Sequence, residues 1–490
     1  MTDSWAYLSA SELLQQMADG VMTSRTLLDF YIQRIEQLNP AINAIVANNY
    51  PEARSRADAA DAARLKGETW GPLHGLPLTV KDTFEVAGML STAGAKRLAA
   101  HRPERSAIAV QSLHDAGAIV FGKTNTPVYA SDLQSYNPVY GTTHNPWNTE
   151  FTPGGSSGGS AAALAAGFTA VELGSDIAGS IRTPAHFCGV YGHKASQGIV
   201  PMQGHIPGPP GTLSEADLAV AGPMARSAGD LRLLLDVIAG PSPLMSPGWQ
   251  LTLPESRHQR LSDFKVLLWV DDPFCEIDFA MRASFRQLKE SLISQGVQVS
   301  EGAPLGKGLD TYFPGYMNLL GSAMGGSSKK RERQVMGLIA PLANKFKDHI
   351  DIANTFEQFL KGVSQSHVEW MGVNERRYRL RQRFIKAFDE FDVILTPVAM
   401  SSAFKHQHKP EIPLRRIKVN GKKRVYADMF KWIAPATLMG LPATSAPMGL
   451  AGSMPVNVQI LGAPFEDKTT IEFANLLAQA IGGFSKPPGF

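Results

Sequence analysis

Thr169-Ala170-Val171-Glu172-Leu173-Gly174-Ser175-Asp176-Ile177-Ala178-Gly179-Ser180-Ile181-Arg182 runs from a short apolar stretch into a serine-glycine turn and on toward a helix near 184–189. Strand, glycine-rich turn and helix in that order are the unit of an α/β sheet. Upstream, Gly154-Gly155-Ser156-Ser157-Gly158-Gly159-Ser160 leads into the helix-forming run Ala161-Ala162-Ala163-Leu164-Ala165-Ala166. Short apolar strands at 76–80 and 118–121 alternate with a helix at 107–115, and further strands are expected at 266–270, 391–397 and 455–461, with a last helix over 469–480. Strands on both sides of a long helical stretch argue for one large domain, 1–490, over several independent ones.

Within it, residues 1–70 form an N-terminal helical layer. Ser9 and Glu12 are spaced as a capping box for a helix ending near Gly20, and a second helix, with Leu27, Leu28, Tyr31, Ile35 and Leu38 on one face, is expected to stop at Asn39-Pro40. The core is 71–200. The proline- and glycine-rich runs at 201–211 and 240–243 read as loops, and 275–390 as a mostly helical, cap-like segment.

Composition narrows the class. The 490 residues are 44% apolar and 19% charged, with a net charge of +3, a balance that does not call for nucleic acid. The basic clusters Lys329-Lys330-Arg331, Arg376 to Arg381 and Arg415-Arg416 are interleaved with acidic and apolar residues and read as solvated faces. Two cysteines, Cys188 and Cys275, suit a reducing compartment. With no leader-like start and no run of about eighteen apolar residues, the expectation is a cytoplasmic protein without membrane attachment.

The serines need a base. Lys81, in Val80-Lys81-Asp82, stands at the end of the 76–80 strand, where a side chain can be held rigidly. An amine neutral at pH 7 needs its pKa lowered by roughly three units from about 10.4, about 4 kcal/mol, which burial can supply. The glycines of the second cluster let backbone N–H groups converge on one oxygen, as an oxyanion hole requires. Taken singly, each cluster also suits a flexible linker or a phosphate loop. Gly154 to Gly158 further satisfies G-x-S-x-G with Ser156 as nucleophile, but the turn-like run 148–153 is a poor preceding strand. His406-Gln407-His408 offers two imidazoles without a third ligand, so no metal is expected.

Gly75-Leu76-Pro77, Val80-Lys81-Asp82, Gly122-Lys123-Thr124-Asn125, Asn145-Pro146-Trp147, Pro153 to Ser160 and Gly174 to Arg182, with Pro455 to Leu461 as a later echo, together resemble the amidase signature family of serine hydrolases. The resemblance implies a mixed, mainly parallel central sheet between helical layers. It implies Ser180 as nucleophile, Ser156 as a bridging serine often flanked by a cis peptide, and Lys81 as general base. The oxyanion hole would be the N–H groups of Ile177, Ala178, Gly179 and Ser180, with Ser157 supporting the relay and Asp176 paired to Arg182 bracing the loop. No cofactor is implied. The activity implied is hydrolysis of the C–N bond of a small-molecule carboxylic amide, with anilides, carbamates and esters as related substrates.

Two departures stand out: Ala178 where most members have glycine, and Gly192-His193-Lys194-Ala195 for the commoner Gly-Leu-Lys-Pro. A pocket would draw on 129–136, 205–213 and parts of 310–435, where Tyr312, Phe313, Tyr316, Met317 and Met429 suggest either an apolar site or ordinary packing. The alternative within the family is the glutaminase subunit of a tRNA-dependent amidotransferase, from which the loop 204–210 and the C-terminal portion differ. The expected partners are thus a small amide and at most a second copy in a homodimer, with no nucleic acid and no membrane.

Overall fold

The computed structural model describes residues 3–206, 208–326, 329–345 and 352–490; Met1, Thr2, Pro207 and parts of the 275–390 segment, at 327–328 and 346–351, lie outside them. Its strands are β1 (Ile45–Asn48), β2 (Pro77–Lys81), β3 (Ile119–Thr124), β4 (Tyr136–Asn137), β5 (Gly141–Thr142), β6 (Val171–Asp176), β7 (Tyr191–Lys194), β8 (Val220–Ala225), β9 (Lys265–Leu268), β10 (Gln298–Glu301), β11 (Val393–Pro397), β12 (Arg416–Val419), β13 (Lys422–Val425), β14 (Ala443–Ala451) and β15 (Met454–Leu461).

Eleven of these strands form one mixed sheet in the order β1-β3-β2-β6-β8-β7-β14-β15-β11-β9-β10, while β4-β5 and β12-β13 are separate ribbons. Parallel pairing occurs in two blocks, β3-β2-β6 and β11-β9-β10. Antiparallel pairs join the blocks and add β1 at one edge. The first six strands of the order come from the N-terminal half and the last five from the C-terminal half, so the halves meet at the β7–β14 seam. Helices flank the sheet, and one apolar core runs through both halves.

Local chemistry explains most of the elements. The Ser9 hydroxyl accepts from the Glu12 N–H and the Glu12 carboxylate returns to the Ser9 N–H, opening the helix Ala10–Ala18. The second helix, Ser24–Ile42, continues through Pro40 instead of stopping there. Pro40 removes only one N–H, in the final turn, and the Asn39 side chain ties the helix end to β1 by accepting from Ala44 and Ile45 and donating to the Ile45 carbonyl. The Ser/Gly run at 154–160 becomes a loop feeding the helix Gly158–Ala165. That helix approaches β3 so closely that a Cβ on Gly159 would lie 2.3 Å from the Asn125 nitrogen.

Among the described residues, the 275–390 segment contains five α-helices but also β10, which pairs parallel with β9 at the sheet edge. It is therefore partly sheet. Tyr312, Phe313, Tyr316, Met317 and Met429 are all buried in the common core. Among the described residues, no helix is long and apolar enough to cross a membrane.

Candidate active site

Strand β2 delivers Lys81 into the protein interior, where it is fully buried. Its Nζ lies 2.6 Å from Ser156 Oγ and 2.9 Å from Ser175 Oγ. Burial lowers its pKa from the usual lysine range to about 7, against the opposing pull of Asp176 and Glu172. Half of the amine is thus neutral near pH 7. Ser156 follows a cis peptide bond from Gly155.

The two loops are stitched together beside Ser156. The Ser157 N–H donates to the Ser180 carbonyl at 3.1 Å, and the Ser157 hydroxyl donates to the Ser175 carbonyl at 3.4 Å. Ser135 Oγ accepts from the Gly158 N–H and donates to the Gly154 carbonyl. Ser156 and Ser180 are both buried, whereas Ile177 and Ala178 are half-buried, so the loop meets solvent just ahead of Ser180.

Asp176 organises that loop. Its carboxylate accepts from the backbone N–H groups of Gly179 (2.9 Å) and Ile181 (3.1 Å) and from Arg182 Nε and Nη2 at 3.0 and 2.8 Å. Burial alone raises its pKa, but the Arg182 guanidinium overrides this and holds it at about 2. Arg182 also donates to the Ile433 carbonyl, to Gln459 and to Thr437 at 3.0, 2.7 and 2.7 Å, tying the serine loop to the C-terminal half. Of the four expected oxyanion-hole donors, the Gly179 N–H donates to Asp176 in this structure.

The other singled-out residues fall elsewhere. His193 pairs with Asp467 at 3.0 Å and with Thr444 at 2.9 Å, and Lys194 donates to the Leu441 carbonyl at 2.8 Å. The unusual Gly192 to Ala195 run therefore pins the last helix, Asp467–Ile481, and the chain before β14. His408 stacks on Tyr136 at 3.9 Å and His406 sets its edge to His144 at 5.1 Å. Two polar residues that bear on the site were not singled out: Ser175, between Lys81 and the half-buried His205, whose Nε2 lies 2.9 Å from Ser175 Oγ, and Glu172. Glu172 is buried against Thr79 and Thr124, and burial raises its pKa to about 8.

The family model described as Amidase matches residues 26–471. The chain belongs to the amidase family. The glutamyl-tRNA(Gln) amidotransferase subunit of Synechococcus sp. (strain CC9605) is 33% identical over 501 residues, covering 98% of each chain. Among solved structures, a chain from a vestigial protein complex bearing on the origins of an s-triazine catabolic enzyme is similar at 26% identity and TM-score 0.76, over 97% of this chain and 99% of the other. The native peptide amidase of Stenotrophomonas maltophilia shares 25% identity at TM-score 0.76, over 99% of each. These relatives correct the expectation about partners. A lone amidase acting only on small molecules, without nucleic acid or other subunits, does not stand beside full-length relatives whose name carries both "tRNA" and "subunit", or beside a solved complex. The near-neutral net charge misled here because it averages over the whole surface and says nothing of a local docking face.

Proposed function

We propose that this amidase cleaves a carboxamide through an acyl-Ser180 intermediate. In the relay, neutral Lys81 takes the proton of Ser156, Ser156 takes that of Ser180, and Ser180 Oγ attacks the carbonyl carbon while backbone N–H groups of the 177–180 turn stabilise the oxyanion. Reversing the relay protonates the leaving nitrogen, and water then releases the acid by the same route. The observation that carries this reading is the buried amine of Lys81, 2.6 Å from Ser156 Oγ with its pKa at about 7.

For the amide itself, the full-length relatives favour glutamine, whose side-chain nitrogen would leave as ammonia and pass to a charged tRNA within an amidotransferase of several subunits. Likeness to the peptide amidase keeps hydrolysis of other amides as a second reading. The test is to purify the protein from its native source under mild conditions and to assay glutamine, aliphatic amides and anilides beside Ser180→Ala. Glutamine turnover that depends on copurifying proteins supports the first reading. Turnover of other amides by the isolated chain, with none of glutamine, selects the second. Undiminished turnover in Ser180→Ala refutes both.

A further inference from the structure

Lys81 Nζ makes three contacts: Ser156 Oγ at 2.6 Å, Ser175 Oγ at 2.9 Å and the Ser175 carbonyl at 3.5 Å. A neutral amine has two N–H protons and one lone pair. Spending both protons on the two oxygens of Ser175 leaves the lone pair for the Ser156 hydroxyl, the orientation a base requires. That works only while Ser175 Oγ acts as an acceptor toward Lys81. The Ser175 hydroxyl has a proton of its own, and if it turned that proton onto Lys81 it would occupy the lone pair. His205 Nε2, 2.9 Å away on its other side, can take it.

We infer that His205 is a positioning residue for the base: as a neutral imidazole it accepts the Ser175 hydroxyl proton at Nε2, fixes Ser175 Oγ as an acceptor toward Lys81, and thereby keeps the lysine lone pair on Ser156. This rests on the reading of Lys81 as the base.

The fold holds His205 for this purpose. The chain leaving β2 after Lys81 pairs with the 204–206 loop through a Phe84–His205 bridge, an Ile206 N–H to Thr83 carbonyl bond of 2.7 Å and a Glu85 N–H to Gly204 carbonyl bond of 3.0 Å. The Phe84 ring packs edge-on against the imidazole at 4.8 Å. Gly204, at φ +82°, lets the loop dock where a Cβ would fall 2.6 Å from Ala107 Cα. The base and its positioning residue thus share one stretch of backbone. Asp176 and Glu172 are the acidic groups facing Lys81, with Glu172 mostly protonated near pH 7, and Lys81 and Lys123 are the basic groups facing His205. Desolvation of the ring lowers the His205 pKa below the usual histidine range, so the ring stays an acceptor through the neutral range.

The test uses a fluorophosphonate, which phosphonylates an activated serine and needs no knowledge of the natural substrate. Labelling rate constants at saturating and sub-saturating probe separate reactivity from binding, and circular dichroism checks that each variant is folded. His205→Phe, which keeps the packing on Phe84 but removes the acceptor, should slow saturated labelling about 10- to 100-fold with half-saturation within about threefold. His205→Gln, which restores an acceptor, should recover most of the loss. In a Ser175→Ala background, where no hydroxyl remains to misdirect the lone pair, His205→Phe should change the rate less than about twofold. An equal loss in that background, or a change in half-saturation alone, overturns the inference. Failure of the underlying reading is seen separately, as undiminished labelling in Lys81→Ala.

Discussion

Lowering the pH should switch the enzyme off through Lys81, with a steepness that its burial sets. With a pKa of about 7, half of the amine is neutral at pH 7 and only about one part in a hundred at pH 5. If the neutral amine is the base, the rate of attack by Ser180 falls about tenfold per unit at the acid end and about 50-fold between pH 7 and pH 5. Raising the pH from 7 to 9 gains only about twofold, because the amine can do no more than become fully neutral. A solvated lysine would instead keep gaining up to about pH 10. The assay is fluorophosphonate labelling of Ser180 at fixed ionic strength from pH 5 to 9, with far-ultraviolet circular dichroism at each pH. A flat profile, or a single limb centred near 10, refutes the assignment of Lys81 as the base. In Lys81→Ala the rate should fall by several orders of magnitude and this acid limb should vanish.

The same burial has a sign in stability. Lys81 binds its proton more weakly folded than unfolded, so folding loses stability as the pH drops from about 10.5 toward 7, and the cost is complete below the folded pKa. Lys81→Met should therefore melt above the parent at pH 6, with the gap closing toward pH 10; a gap that widens with pH contradicts the argument. Arg182→Leu leaves the Asp176 carboxylate buried without its partner and should cost about 3–5 kcal/mol in chemical denaturation. A loss under about 1 kcal/mol would mean that the loop relaxes to let water reach Asp176.

The motifs that the structure brings together around Lys81 were legible because each is a short contiguous run. The two Ser/Gly runs and Val80-Lys81-Asp82 each sit at a strand or helix end, where the backbone dictates the direction of the side chain. What was not legible depends on contacts distant in sequence. His205 lies in a proline- and glycine-rich loop, and only its pairing with Phe84 reveals that it faces Ser175. The commitment of the Gly179 N–H to Asp176 depends on the curl of the turn, which residue identity does not specify. Strands β1, β7, β8 and β14 escaped notice for a related reason. Val220-Ala221-Gly222-Pro223-Met224-Ala225 is buried throughout and shows no alternation, so only its neighbours make it a strand. Pro40 misled in the opposite direction, since it removes only one N–H, in the final turn, and the helix continues past it.

The seam between β7 and β14 has a consequence for synthesis. His193 and Thr444, which bond across it, are 251 residues apart in the chain, and at about 5–20 residues per second a ribosome needs roughly ten to fifty seconds to make what lies between. For that interval β7 is an open edge, ready to pair with another nascent chain, and the Arg182 donors that will meet Ile433, Thr437 and Gln459 have nothing to bind. The 176–182 loop is translated early and braced late. A chain interrupted before residue 433 would already carry Lys81, Ser156 and Ser180 but none of the C-terminal partners of Arg182, so its 176–182 loop should stay unbraced until the second half of the sheet has been made.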